Sequence, residues 1–177
     1  YNVAVGFQAG LAVTIGVQNT LIGGLAGDAL SDADYNVAIG SQALSQDTLG
    51  SRSVAVGQSA LFTQNFTTAT NAYNTAVGMS AGAAVTTATN NTFIGGLSGD
   101  AATTGASNTF VGQNSGGATT TGGQNTAVGE GALASNTTAG TNTAIGRDAM
   151  YHATTAQNNV ALGHSAMKAQ TTAAGNF

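Results

Sequence analysis

The sequence predicts an all-β fold, a parallel β-solenoid of about ten coils, one for each period of 17 along the chain. Three observations predict it. Glycine recurs at Gly6, Gly23, Gly40, Gly57, Gly78, Gly95, Gly112, Gly129, Gly146 and Gly163, at a constant spacing of 17 broken by a single interval of 21. Each of these glycines closes a tripeptide that starts β-branched and ends aliphatic, such as Thr75-Ala76-Val77, and short runs of that kind closed by Gly read as strands. No segment carries a sustained apolar stripe of helical period, and Gly recurs too often for long helices. A unit this short cannot hold paired helices. It suits one solenoid coil with two short strands and two bends, stacked about 4.8 Å from the next.

The positions of the coil, numbered from its leading Asn, have separate chemistries. Position 1 is Asn in Asn2, Asn19, Asn36, Asn74, Asn91, Asn108, Asn125, Asn142 and Asn159, with Ser53 the one replacement. An amide ladder there would satisfy polar groups at a bend. Position 2 is Val or Thr, and position 4 is Val, Ile or Leu throughout. These two side chains share one side of a strand, so the unbroken aliphatic row including Val77 and Val128 is expected inside the roll. Position 3 then faces out, and a row of Ala broken by Leu21, Phe93 and Phe110 would form an uncharged apolar strip that a partner covers. Position 5 is Gly without exception, as in Gly78 and Gly129, where a turn needs positive φ. Position 8 is Ala or Ser, small enough for the opposite wall to approach. Positions 13 and 14 read Thr-Thr in the last six coils, from Thr86-Thr87 to Thr171-Thr172, and start a second short strand or a turn. Asn176 opens an eleventh coil.

One coil is expanded. It runs over residues 53–73, four residues longer than the rest, and holds Phe62, Phe66 and Tyr73. An insertion in a solenoid maps to a loop on one side, where exposed aromatics would offer a binding surface for a glycan or protein. The chain is expected to be one solenoid region over residues 1–177 and a section of a longer fibre, because neither terminal coil has the polar character of a cap.

The composition excludes several function classes. Ala, Gly, Thr and Asn fill 103 of 177 positions, and charged residues are 6%, against roughly 25% in an ordinary soluble domain. No Cys is present, which removes disulfides, thiolate metal sites and Cys nucleophiles. Three basic residues cannot build the stripe that nucleic acid requires. No apolar run approaches the length of a membrane span.

Sites for chemistry are sparse. Asp28 and Asp100 share coil position 10 but stand four coils apart, or roughly 19 Å at the usual strand spacing, too far for a carboxylate pair. Asp32 and Asp34 could share a loop. His152 and His164 occupy different coil positions, so no zinc site is expected. The Gly-Asp pattern ending at Asp28 recurs once, at Asp100, whereas a calcium roll needs an Asp in every unit. The Thr-Thr rows suggest an ice-binding array, but adjacent strand residues face opposite ways and leave one outward rank.

The units Asn74-Thr75-Ala76-Val77-Gly78, Asn125-Thr126-Ala127-Val128-Gly129 and Asn142-Thr143-Ala144-Ile145-Gly146 resemble the head repeats of trimeric autotransporter adhesins. The longer unit closing in Asn136-Thr137-Thr138-Ala139-Gly140 is similar to repeats of bacteriophage tail fibres. The resemblance implies a left-handed parallel β-roll and a parallel homotrimer. It also implies an extracellular setting, on a virion tail fibre or a bacterial cell surface, with a host cell-surface receptor or glycan as partner. The expected role is a rigid attachment module without catalysis, cofactor or metal. The alternative is a solenoid that binds ice or glycan along its flank.

Overall fold

The computed structural model describes residues 1–172 and 175. Its elements in chain order are β1 (Val3–Val5), β2 (Thr20–Ile22), β3 (Val37–Ile39), β4 (Gly50–Ser51), β5 (Val54–Val56), β6 (Thr70–Asn71), β7 (Thr75–Val77), β8 (Thr92–Ile94), β9 (Thr109–Val111), β10 (Thr126–Val128), β11 (Thr143–Ile145) and β12 (Val160–Leu162). All of them except β4 and β6 form one ten-stranded sheet, paired in parallel in chain order. The fold is therefore a parallel β-solenoid of about nine turns, with no helix among the described residues. The register places like on like: Thr126 pairs with Thr143, Ala127 with Ala144 and Val128 with Ile145. Asn176, where the spacing opens an eleventh coil, lies outside the described residues.

Each coil holds a single three-residue strand, and the expected second strand at the Thr-Thr positions is replaced by bends. The rest of the coil is a run of tight turns. In the first coil the amides of Ala9, Leu11 and Val13 each donate to the carbonyl three residues back. Intervening amides bond between coils, as Gly10 does to Ala26 and Ala12 to Asp28. Backbone polar groups are thus satisfied without a second long sheet. A second pair forms only at the expanded coil, where β4 pairs with β6 in parallel.

The two faces of the strand are the reverse of the sequence expectation. Position 3 is internal: Leu21, Ala38, Ala55, Ala76, Phe93, Phe110, Ala127 and Ala144 are fully buried. Positions 2 and 4 face out, and Val77, Ile94, Val128 and Ile145 are each 36–40% exposed. The physical reason is width. So short a coil, folded into tight turns, has a narrow lumen, which admits Ala beside one large group per level. A row of Val and Ile at two positions per coil would overfill it.

Volume is balanced across the lumen between positions 3 and 9. Where position 3 is Ala38, Ala55, Ala127 or Ala144, position 9 is Leu44, Leu61, Leu133 or Met150, all buried. Where position 3 is Leu21, Phe93 or Phe110, position 9 is Gly27, Gly99 or Gly116. A Cβ on Gly27 would stand 2.8 Å from a Leu21 methyl, and one on Gly99 would stand 2.6 Å from the Phe93 ring. Ala76 and Gly82 are both small, and there the next coil fills the gap: the Phe93 ring lies 2.7 Å from where a Gly82 Cβ would be. Phe93 and Phe110 stack with centroids 5.5 Å apart.

The asparagine row closes each coil and fixes the next. Asn125 donates from Nδ2 to the carbonyl of Ala139 at 2.9 Å, and its Oδ1 accepts the Asn142 amide at 3.0 Å. The same pair of bonds recurs at Asn19, Asn36, Asn91, Asn108 and Asn142. Weaker amide-to-amide contacts of 3.2–3.3 Å run beside them. At Ser53 the amide is missing, and Gln64 of the same coil supplies one. Its Nε2 donates to Ser53 Oγ at 3.0 Å and to Asp47 Oδ2 at 2.6 Å, and its Oε1 accepts from Asn74 Nδ2 at 2.9 Å. Buried Asp47 also accepts the amides of Gly50 and Phe66. The invariant glycine has two causes. Gly112 has φ of +134°, and a Cβ there would meet the carbonyl of Gly129 in the next coil at 2.6 Å.

Candidate functional site

The outer surface of the solenoid has four faces with distinct chemistry. The first is the strand face. Thr or Val at position 2 and Val, Ile or Leu at position 4 project from consecutive coils, without a charged residue among them. The pleat sends both outward because position 3 is turned in. Val77 and Val128 therefore line the outer face, while Asn74 and Asn125 are buried beside it and Gly78 and Gly129 turn the chain away from it.

The second face carries the threonines. Position 13 hydroxyls are spent on the backbone: Thr86 donates to the Thr103 carbonyl at 3.1 Å, and Thr103, Thr120, Thr137 and Thr154 repeat the bond one coil on. Position 14 is the one outward rank, with Thr87, Thr104, Thr121, Thr138, Thr155 and Thr172 all exposed.

The third is the expanded coil. The structure separates its three aromatics. Phe66 is 5% exposed, and its ring packs against the backbone at Gly50. Phe62 is half-buried, and Tyr73 is 53% exposed. The extra length projects instead at Thr67, Thr68 and Ala69. Tyr73 belongs to the corner just before the leading Asn, position 17 of an ordinary coil and the last residue of the expanded one, with Tyr35 and Arg52 in the two preceding coils. This corner is left-handed in every coil, with φ of 60° at Tyr35, 65° at Arg52 and 52° at Tyr73. The Arg52 guanidinium lies 4.5 Å from the centroid of the Tyr35 ring, and its Nε donates to Asn71 Oδ1 at 3.1 Å. Periodicity read from the glycine alone hides this corner; the recurrence of Tyr-Asn at Tyr1, Tyr35 and Tyr73 is the signal that marks it.

The fourth is a small charged patch near the end of the chain. Lys168 Nζ donates to Asp148 Oδ2 at 2.9 Å, with Arg147 3.9 Å from the same carboxylate and 4.0 Å from Glu130. The hydrogen bond from Lys168 is the main cause that holds the Asp148 carboxyl below its usual range.

The remaining titratable residues stay apart. Asp34 Oδ1 accepts the Val17 amide at 2.8 Å, while Asp32 points to solvent. Asp28 accepts from Ser45 at 2.6 Å, and burial raises the Asp100 carboxyl above its ordinary value. His152 packs edge-on to Tyr151, and His164 is exposed. Among the described residues, no three of His, Asp and Glu come together as a metal cluster, and no helix is long and apolar enough to cross a membrane. No protein-family model, curated protein or solved structure matches the chain.

Proposed function

We propose that the chain is a section of a rigid attachment fibre, a non-catalytic parallel homotrimer of a phage tail fibre or bacterial surface adhesin, working outside the cell. The carrying observation is the strand face: a flat, uncharged row of Val, Ile and Thr on the outside of a roll too narrow to bury it. Contiguous apolar surface of that length calls for a cover, and identical chains set side by side in one register cover it with like on like. The association surface is thus positions 2 and 4, not the Phe93 and Phe110 positions expected from sequence. The solenoid itself supplies stiffness, because every interior coil is hydrogen-bonded to both neighbours. A recognition element for a cell-surface receptor or glycan would be held at a distance by that rod. Sedimentation at micromolar concentration tests the reading: a trimer supports it, and a folded monomer overturns it.

A second reading, ice binding, has one observation in its favour, the exposed rank from Thr87 to Thr172. A thermal-hysteresis measurement on the purified chain decides it.

A further inference from the structure

The corner at position 17 is built in a way the fibre role does not require. L-residues with bulky side chains avoid the left-handed region, which Asn tolerates best after Gly. Asn90 and Asn158 hold that corner in later coils, and Gln18, Ser107, Gln124 and Thr141 hold it elsewhere. Tyr35, Arg52 and Tyr73 are costlier there than Asn, and interior packing does not repay them: Tyr35 is 45% and Tyr73 53% exposed. Two of the three side chains are nonetheless held together. Arg52 is fixed between the Tyr35 ring and the Asn71 amide. The short pair β4–β6 ends at Ser51 and Asn71, just before Arg52 and Tyr73, and braces the backbone under the corner. Rigid aromatic side chains flanking a fixed polar donor are a binding arrangement rather than a packing one.

We propose that Tyr35, Arg52 and Tyr73 form a binding strip for an extended, uncharged β-1,4-linked glycan lying along the solenoid axis. Tyr35 and Tyr73 stand two coils apart, which is about 9.6 Å at the spacing of paired strands. That step matches one disaccharide of an extended β-1,4 chain, so the two tyrosines meet alternate sugars, Tyr35 with the ring surface that the Arg52 guanidinium leaves free. Between them Arg52 presents guanidinium donors to ring hydroxyls. Asp34 precedes Tyr35, with its carboxylate bonded to the Val17 amide, and a negative charge beside the strip disfavours an anionic ligand. Tyr1 stands at the same coil position two coils before Tyr35 and would lengthen the strip by one disaccharide. Phe62 and Phe66, half-buried and buried, take no part.

The test is a titration of the full chain with cellohexaose and with chitohexaose, followed by amide NMR, with maltohexaose as the curled α-linked control. Shifts confined to Tyr35, Arg52, Tyr73 and their neighbours are expected from at least one β-linked hexasaccharide; which of the two binds tells hydroxyl from N-acetyl recognition. Tyr35→Ala and Tyr73→Ala should each weaken binding about two- to tenfold, while Tyr73→Phe keeps it. Absence of shifts with both at millimolar concentration, shifts mapping elsewhere, equal binding of maltohexaose, or unchanged affinity in the double alanine variant would each overturn the proposal. The corner variants should leave the sedimentation of the chain unchanged, so failure here is separate from failure of the trimer.

Discussion

At the residue scale, the interior is a set of size-matched pairs, and each pair is testable. Phe110→Ala opens a cavity in a buried ring site and should cost about 3–5 kcal/mol. Gly116→Leu drives a side chain into the Phe110 ring and should cost about 1–3 kcal/mol or more. The double variant recreates the Ala127–Leu133 arrangement of the next coil, where Leu133 already holds a φ of 53°. It should be more stable than either single variant, with a coupling of about 2 kcal/mol in a urea double-mutant cycle. Additive losses would show that the two positions do not share one volume. The amide row is as specific. Asn125→Ala leaves the Asn142 amide buried without a partner and takes from the Ala139 carbonyl one of its two donors, the other being Asn136 Nδ2; it should cost about 1–3 kcal/mol in the same assay. At the surface, Asp148 has its carboxyl pKa lowered, first by the Lys168 hydrogen bond. Its contribution to stability is present above the unfolded carboxyl value and is lost as pH falls through the lowered folded value. Lys168→Met should move the Asp148 titration upward when followed by carboxyl NMR, with only a small stability change for a part-buried pair at the surface.

At the element scale, the strand's orientation decides which substitutions unfold and which only dissociate. Ala127 and Val128 are adjacent in β10, with Ala127 fully buried and Val128 36% exposed. Ala127→Asp buries a carboxylate with no partner and should unfold the chain at that coil. Val111→Asp, on the outer face of β9, should leave the far-UV circular dichroism and the monomer's fold intact while abolishing the proposed trimer in sedimentation. If Val111→Asp unfolds the monomer and Ala127→Asp does not, the faces are assigned wrongly. This element shows how far sequence alone reached. The strands, their boundaries, the invariant glycine turn and the Asn closure were legible because each repeats at one spacing. The face was not, because alternation identifies two sides without saying which is inside, and the aliphatic side reads as core by hydropathy. The deciding signal lay farther off: Ala with Leu or Met, and Phe or Leu with Gly, alternate between positions 3 and 9. Only residues that share a lumen compensate in volume. The turns after Gly also escaped, since Leu44, Leu61 and Leu133 adopt positive φ where local preference would place Gly or Asn. Inter-coil hydrogen bonds hold them there. Of the binding candidates, Tyr73 is exposed, Phe62 half-buried and Phe66 buried, and the proposed partners of Tyr73, Tyr35 and Arg52, come from coils that the expanded unit does not include.

At the scale of the whole molecule, the solenoid behaves as a one-dimensional stack in which each coil contacts its neighbours alone. The consequence is a sharp dependence on register that neither residue nor strand reveals separately. Deleting residues Asn125–Thr141 removes one whole coil and joins Gln124 to Asn142. Every ladder then closes on an equivalent partner: the Asn108 side-chain oxygen meets the Asn142 amide, Thr109 pairs with Thr143 and Phe110 with Ala144. The shortened chain should keep its β spectrum and its cooperative melt, and its urea m-value should fall in proportion to the surface removed. Deleting residues 125–140 instead leaves Thr141 in the place of the buried Asn. It shifts every later strand by one, so that Thr143 and Ile145, then Val160 and Leu162, turn inward and Ala144 and Ala161 face out. The narrow lumen cannot take them, and all the C-terminal coils lose their closing amide at once. The expected result is loss of the amide protection of the coils after the junction, roughly the C-terminal quarter of the shortened chain, in hydrogen exchange, from a deletion one residue shorter than a tolerated one. Equal behaviour of the two deletions would mean that the coils are held by something other than residue-matched stacking.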